Sequence, residues 1–327
     1  MVSMSETEDW QIPAGMRPDA DALGFDVDRA LAAIVGVRAR IPEDAFTAAI
    51  LGRERAGNGV HIQPGVVLTI GYLITEADQV WLTGADGRAV AGTVLAYDQE
   101  TGFGLVQALG RLELPTMRLG QPERASVGTP VTIAGHGGLP RALKAKVIAV
   151  EPFAGYWEYL LDRALFTAPA YPNWSGAAAI DADGDLIGIG SLHVERAGDN
   201  GRAQEVNMFV PTSLLTPLLG DMLALGRSPR PARPWLGLYT VEHEGKLVVA
   251  GLAGRGPAHS AGIRTGDVIL AVDGDPVDAL AAFYRQLWAR GPAGTEFRLS
   301  LERDERRREA LVRSADRTAY LKKPQLH

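Results

Sequence analysis

The sequence predicts a mainly β chain in two domains, and three observations carry that prediction. Apolar runs of strand character recur about every ten residues between positions 33 and 189, with Gly, Asp or Pro between them. Few helical periods compete with these runs before Thr212. A Pro- and Arg-rich stretch at 226–234 then breaks the pattern and reads as a semi-rigid linker, after which new strands and one helix begin. A chain of 327 residues is long enough for two domains, each with its own core.

The elements follow in order. Residues 1–27 read as a polar arm, with Pro13 and Pro18 discouraging regular structure. Residues 33–41 form a first strand that Pro42 ends, and 43–51 suggest a short helix. Strands are expected at 57–62, 66–69, 79–83, 92–97, 104–108, 131–135, 143–150, 165–168 and 186–189. The run at 79–83 alternates cleanly and stops at the turn Asp86-Gly87. Residues 212–225 read as a helix capped by Thr212 or Ser213 and closed by Gly226. Beyond the linker, 268–272 read as a buried strand. Leu280, Phe283, Tyr284 and Leu287 recur at helical spacing within 279–289. Residues 295–303 supply a last strand, and Glu305 to Arg308 a solvated turn. The boundaries are then an arm at 1–27, a first domain at 28–226, a linker at 227–233, a second domain at 234–316 and a tail at 317–327.

Composition excludes several functions. A net charge of −6 gives a nucleic-acid partner no electrostatic support. No apolar run reaches the length of a membrane span. With no Cys, disulfides and thiolate metal sites are absent. The first residues lack the basic start and apolar middle of a secretory signal, so the cytoplasm is the expected compartment. No His or carboxylate pair has metal-ligand spacing, and Gly135-His136-Gly137-Gly138 opens no helix that could cradle a phosphate. Neither a metal nor a cofactor is expected.

Two stretches resemble known families. Gly256-Pro257-Ala258-His259-Ser260-Ala261-Gly262-Ile263-Arg264-Thr265-Gly266-Asp267-Val268-Ile269, followed by Val272-Asp273-Gly274, resembles the PDZ domain of bacterial proteases. That resemblance implies a groove for protein or peptide C-termini, filled by strand addition. The N–H groups near Leu236, Gly237 and Leu238 would hold the carboxylate, and Leu236, Leu238, Leu280, Phe283 and Leu287 would line the groove. Upstream, Pro172-Asn173-Trp174-Ser175-Gly176-Ala177-Ala178-Ala179-Ile180-Asp181 and the strand from Leu186 resemble the nucleophile loop of the HtrA/Deg serine proteases. The likeness runs from about residue 33 to 313. It implies a chymotrypsin/trypsin-like double β-barrel followed by a PDZ domain, in a homo-oligomer that is a trimer by resemblance.

The resemblance also assigns the site. Ser175 stands at the nucleophile, Tyr72 at the general base and Gly102 at the orienting acid, with the N–H groups of Asn173 and Ser175 as the oxyanion hole. A serine hydroxyl needs a base, a tyrosine is neutral near pH 7, and glycine orients nothing. Of the six His, His61 and His136 sit away from the cleft, His193 approaches it from the far side, and His243, His259 and His327 lie further along the chain. Asn tolerates left-handed φ, so the oxyanion hole can survive with Asn173 in it. Trp174 is expected to plug the old pocket beside Tyr72. The aromatic run from Phe153 to Tyr159 reads equally as a packing patch or a protein-contact surface. The reading that follows is a pseudoprotease that binds peptides or proteins. The alternatives are a serine endopeptidase in protein quality control with a non-standard base, and a structural assembly scaffold.

Overall fold

The computed structural model describes residues 10–197 and 201–323. The fold is mainly β, as the sequence predicts, and the chain packs as two units. The first holds the chain up to Val150 together with Ala164–Ser228; the second holds Glu151–Arg163 together with Pro229–Lys323.

The first unit carries two closed six-stranded barrels. One is made of β1 (Ile34–Arg40), β2 (Glu54–Gln63), β3 (Val66–Ile70), β4 (Gln79–Thr83), β5 (Ala89–Tyr97) and β6 (Phe103–Ala108). The other is made of β7 (Pro130–Ala134), β8 (Ala142–Gly155), β9 (Tyr159–Ala168), β10 (Ala178–Ile180), β11 (Leu186–Ala197) and β12 (Ala203–Pro211). β4 alternates because only one of its faces is covered: Val80 and Leu82 point in, Gln79 and Trp81 out. β3 is apolar or Thr throughout because both its faces are buried. Side chains such as Ile133, Leu143, Val147, Leu165 and Phe209 fill the second barrel.

Four expectations for this unit change. The arm is not loose from Trp10 onward, because its apolar residues find a surface. Ile12 joins the core of the second barrel, and Trp10 packs edge-on against Tyr171. The helix expected at 43–51 shortens to α2 (Ala48–Leu51), preceded in the chain by α1 (Val27–Ala32). The helix expected at 212–225 is split: a 3-10 turn covers Thr212–Leu214, and α3 begins only at Leu219 and runs to Leu225. Pro217 is the cause, since it offers no N–H and crowds the preceding turn. β8, β9 and β11 all run longer than their apolar cores suggest, because paired strands extend wherever a neighbour supplies hydrogen bonds.

In the second unit β13 (Leu238–His243), β14 (Lys246–Leu252), β15 (Val268–Val272), β17 (Glu296–Arg303) and β18 (Arg306–Arg313) form one sheet in that order, with β16 (Asp275–Pro276) on β15. Two helices, α4 (Pro257–Ser260) and α5 (Leu280–Ala289), cover it. Leu280, Phe283, Tyr284 and Leu287 of α5 are buried against the sheet, at the spacing of one helix face. The strand at 295–303 is not the last. Glu305 stays in the turn, but Arg306, Arg307 and Arg308 open β18 and pair with Arg303, Glu302 and Leu301, so these arginines are the exposed edge of a hairpin strand. Asp267 caps the Arg264 N–H at 2.9 Å and forms a bidentate pair with Arg303 at 2.6 and 2.7 Å. The Gly266-Asp267 pair thus ties the turn before β15 to β17.

Candidate active site and a carboxylate cradle

Ser175 lies on the turn that enters β10, and the turn is held by its neighbours rather than by itself. Gly176 donates to the Gly190 carbonyl at 2.8 Å, and Gly190 donates back to Ala177 at 2.8 Å. From the first barrel, the fully buried Asn58 grips the other side. Its Nδ2 donates to the Asn173 carbonyl at 2.9 Å and to the Ser175 carbonyl at 3.1 Å, and its backbone N–H donates to Ser175 at 2.8 Å. Its Oδ1 accepts from the His136 N–H at 2.8 Å, and its carbonyl accepts from Thr69 Oγ1 at 2.6 Å. Nothing in the local sequence around Asn58 marks it for this role.

Tyr72 arrives on the 3-10 turn Gly71–Leu73 that closes β3. Its hydroxyl lies 2.8 Å from Ser175 Oγ and 2.9 Å from the Ser191 carbonyl oxygen. Burial pushes the phenol up to about 12, and hydrogen bonding with Ser175 and Trp174 offsets only part of that. The turn carrying Tyr72 is anchored by the buried Arg55. This side chain donates to the Tyr72 carbonyl at 2.7 Å, the Thr75 carbonyl at 3.1 Å, the Gly52 carbonyl at 3.1 Å and Thr47 Oγ1 at 2.8 Å. The buried Glu76 accepts from the N–H groups of Phe46 and Thr47 and from Thr47 Oγ1. Burial lowers Arg55 to about 10 while the Glu76 charge pulls it up, so the guanidinium stays charged at neutral pH.

Gly102 sits beside this assembly with φ +82, donating to the Asp98 carbonyl at 2.8 Å and accepting from the Gly71 N–H at 2.7 Å. The nearby acid Asp98 is buried and caps its own turn, accepting from the Thr101 N–H at 2.9 Å and Thr101 Oγ1 at 2.7 Å. Asn173 is not among the residues with positive φ, so the left-handed conformation that its side chain would tolerate is not adopted.

The histidines have other partners. His61 Nε2 accepts from Gly65, which leaves Nδ1 to donate to the Pro115 carbonyl at 2.9 Å. His136 Nε2 faces the Gly84 carbonyl at 3.0 Å. His193 lies against Trp174, ring centroids 5.2 Å apart. His327 lies outside the described residues.

Trp174 is not the plug that the sequence suggests. It is only half-buried, with its ring against His193 and a hydrogen bond to the Tyr72 side chain. Trp174→Ala should therefore cost only about 1–2 kcal/mol, the loss of a partly covered ring. A thermal melt checks this, and a drop matching a fully buried Trp, about 3–5 kcal/mol, would restore the plug.

The second unit holds a different site. Leu236, Gly237, Leu238, Leu280, Phe283 and Leu287 are all buried here. The Leu236 N–H donates to both Glu158 carboxylate oxygens at 2.9 and 3.2 Å, and the Leu238 N–H to one of them at 2.8 Å. Glu158 belongs to the aromatic hairpin 155–159, which is therefore a packing element of this unit, with Trp157 stacked on Tyr159 and Tyr156 edge-on to Tyr239. Burial pushes the Glu158 carboxyl up to about 7, against the amides of Leu236, Leu238 and Gly237 and the charge of Arg317.

Among the described residues no group of His, Asp or Glu could hold a metal ion, and no helix is long and apolar enough to cross a membrane.

Comparison with known proteins matches two stretches of the chain to two domain families. A trypsin-like peptidase domain covers residues 57–189, and a PDZ domain covers residues 234–313. A DegP-like periplasmic serine endoprotease of Pseudomonas fulva is 24% identical over 275 residues, 77% of this chain and 55% of that protein. The serine endoprotease DegS of Salmonella typhimurium is 23% identical over 267 residues, covering 77% of this chain and 74% of its own. The chain spans only 55%, 57% and 59% of the first three curated relatives it matches. Among solved structures, the HtrA-type protease AlgW with a decapeptide superposes with a TM-score of 0.53 at 22% identity, over 91% of this chain and 98% of that one. A serine endoprotease from Yersinia pestis gives a TM-score of 0.51 at 22% identity, over 89% and 96%. The chain thus carries a trypsin-like peptidase domain followed by one PDZ domain, has DegP, DegS and HtrA proteins as homologues, and adopts an HtrA-type fold.

Proposed function

We propose that the chain is a pseudoprotease, which binds peptides or protein partners through its PDZ groove and remnant cleft without turning them over. The observation that carries this reading is the pair of hydroxyls, Ser175 Oγ and Tyr72 Oη, 2.8 Å apart. A phenol has one proton. The Ser191 carbonyl can only accept it. When it does, the Ser175 proton points at a neutral phenol oxygen, which is a poor base. Only a phenolate could take that proton, and with the phenol at about 12 it is populated at pH 7 in roughly one molecule in 10⁵. Gly102 has no side chain to orient a base, and the Asp98 carboxylate is engaged by Thr101.

A fluorophosphonate probe tests this, since it labels only an activated serine. No labelling above that of Ser175→Ala is expected between pH 6 and 8. Any labelling that depends on a Tyr72 phenolate must climb with pH toward 12 and vanish in Tyr72→Phe. Labelling at neutral pH that Ser175→Ala abolishes would overturn the reading in favour of an active endopeptidase.

A further inference from the structure

In the second unit, backbone N–H groups converge on a carboxylate that the chain itself supplies. We propose that Glu158 is an internal surrogate for a peptide's C-terminal carboxylate, and that a partner with a free C-terminus binds this unit by displacing the hairpin tip 155–159. The inference rests on the peptide-binding half of the reading above.

The hairpin tip occupies the place of an added strand. On the sheet side, the Thr240 N–H of β13 donates to the Tyr156 carbonyl at 2.9 Å. On the helix side, the Tyr284 hydroxyl of α5 donates to the Gly155 carbonyl at 2.9 Å and accepts from the Glu158 N–H at 3.1 Å. At its end the Glu158 carboxylate sits on the Leu236 and Leu238 amides, where a terminal carboxylate sits in strand addition.

Neither turn geometry nor packing explains a glutamate here. Its φ of +60 is the left-handed region, where Gly or Asn is favoured and a long side chain is strained. Its carboxylate is removed from water, which costs several kcal/mol unless hydrogen bonds replace the lost solvation. The cradle amides are what replace it. A hydrophobic or glycine tip would close the hairpin more cheaply, so the residue's use is the contact with the cradle.

The tip is also built to leave. Tyr156 is 48% exposed, and an exposed ion pair between Asp162 and Arg285 at 2.6 Å clasps the hairpin to α5 from outside. Leu160, just behind the tip, is buried in the core and stays as the tether. A tethered competitor acts at an effective concentration of the order of millimolar. The apparent affinity for an incoming peptide is reduced by the small fraction of open groove.

The test uses the full chain and a fluorescein-labelled hexapeptide library with free C-terminal carboxylates, read by anisotropy, with the same library as C-terminal amides. Glu158→Ala should bind the carboxylate library at least tenfold more tightly than wild type, and Arg285→Ala by a smaller factor. The amidated library should bind none of them appreciably. Equal affinity of wild type and Glu158→Ala would overturn the surrogate role while leaving peptide binding intact. A folded Glu158→Ala that ignores the carboxylate library would overturn the groove reading as well. Hydrogen exchange on wild type covers the case in which Glu158→Ala does not fold. At the highest library concentration the Glu158 amide should lose protection while Leu236 and Leu238 keep theirs, and an unchanged Glu158 amide would overturn the proposal.

Discussion

Gly176→Ala is expected to destroy the turn that presents Ser175. A Cβ at this position would stand 1.9 Å from the Asn58 carbonyl oxygen and 2.8 Å from Thr69 Oγ1. The nearer atom is backbone, in a strand held by both its neighbours, so no rotamer change relieves the clash. The position also has φ +72, which an alanine adopts only with strain. Steric overlap and strain together should cost more than about 4 kcal/mol, at the rare end for a single substitution. For a unit of this size that is a fall of roughly 10 °C or more in Tm. Gly190→Ala should behave alike, because its Cβ would meet the Trp174 carbonyl oxygen at 2.0 Å. Gly220→Ala, in α3 with nothing within 4 Å of the added carbon, is the control and should leave the midpoint unchanged or slightly raised. Melts of the three variants decide the matter: a Gly176→Ala midpoint equal to the control's would show that the barrels do not close on this turn.

The contrast between these glycines and the rest of the site shows what the sequence could carry. Strand periodicity and turn residues are local, so most of the strands could be read from the chain alone, and the run from Gly256 to Gly274 marks the second domain. Ser175 and Tyr72 stand in separate motifs of the sequence, and the structure brings their hydroxyls within 2.8 Å. Arg55, Asn58 and Glu158 could not be read in this way. Each is a single polar residue outside any motif, and its role comes from burial against segments far away in the chain: Asn58 reaches across 115 residues to Asn173, and Glu158 across 78 to Leu236. The aromatic hairpin announced that it packs on something, but nothing local said what. Two misses did have a signal. Pro217 lies inside the segment read as one helix, and Trp10 and Ile12 are anchors in what was read as a polar arm.

Arg55→Met should destabilise the first unit and loosen Tyr72 together. The guanidinium feels the charge of the buried Glu76 carboxylate, and it also ties the carbonyls of Gly52, Tyr72 and Thr75 into one knot. Methionine fills similar space but donates nothing. The buried carboxylate then keeps its hydrogen bonds to Phe46 and Thr47 but loses the Arg55 charge, and three carbonyls lose a donor. Removing a buried charge together with its four hydrogen bonds costs about 3–5 kcal/mol, a fall in Tm of the order of 10 °C. Adding Glu76→Gln should recover part of it by removing the stranded charge. The second readout is the Tyr72 phenol, followed by ultraviolet absorbance against Tyr72→Phe. Its folded value of about 12 lies above the ordinary value of about 10, so its burial stabilises the fold below pH 10, and that stabilisation is lost as pH rises toward 12. If Arg55 positions the turn, its loss should bring the Tyr72 titration down toward 10, since water then reaches the hydroxyl. A lower Tm with an unchanged Tyr72 titration would mean that Arg55 supports the barrel without holding Tyr72 against Ser175.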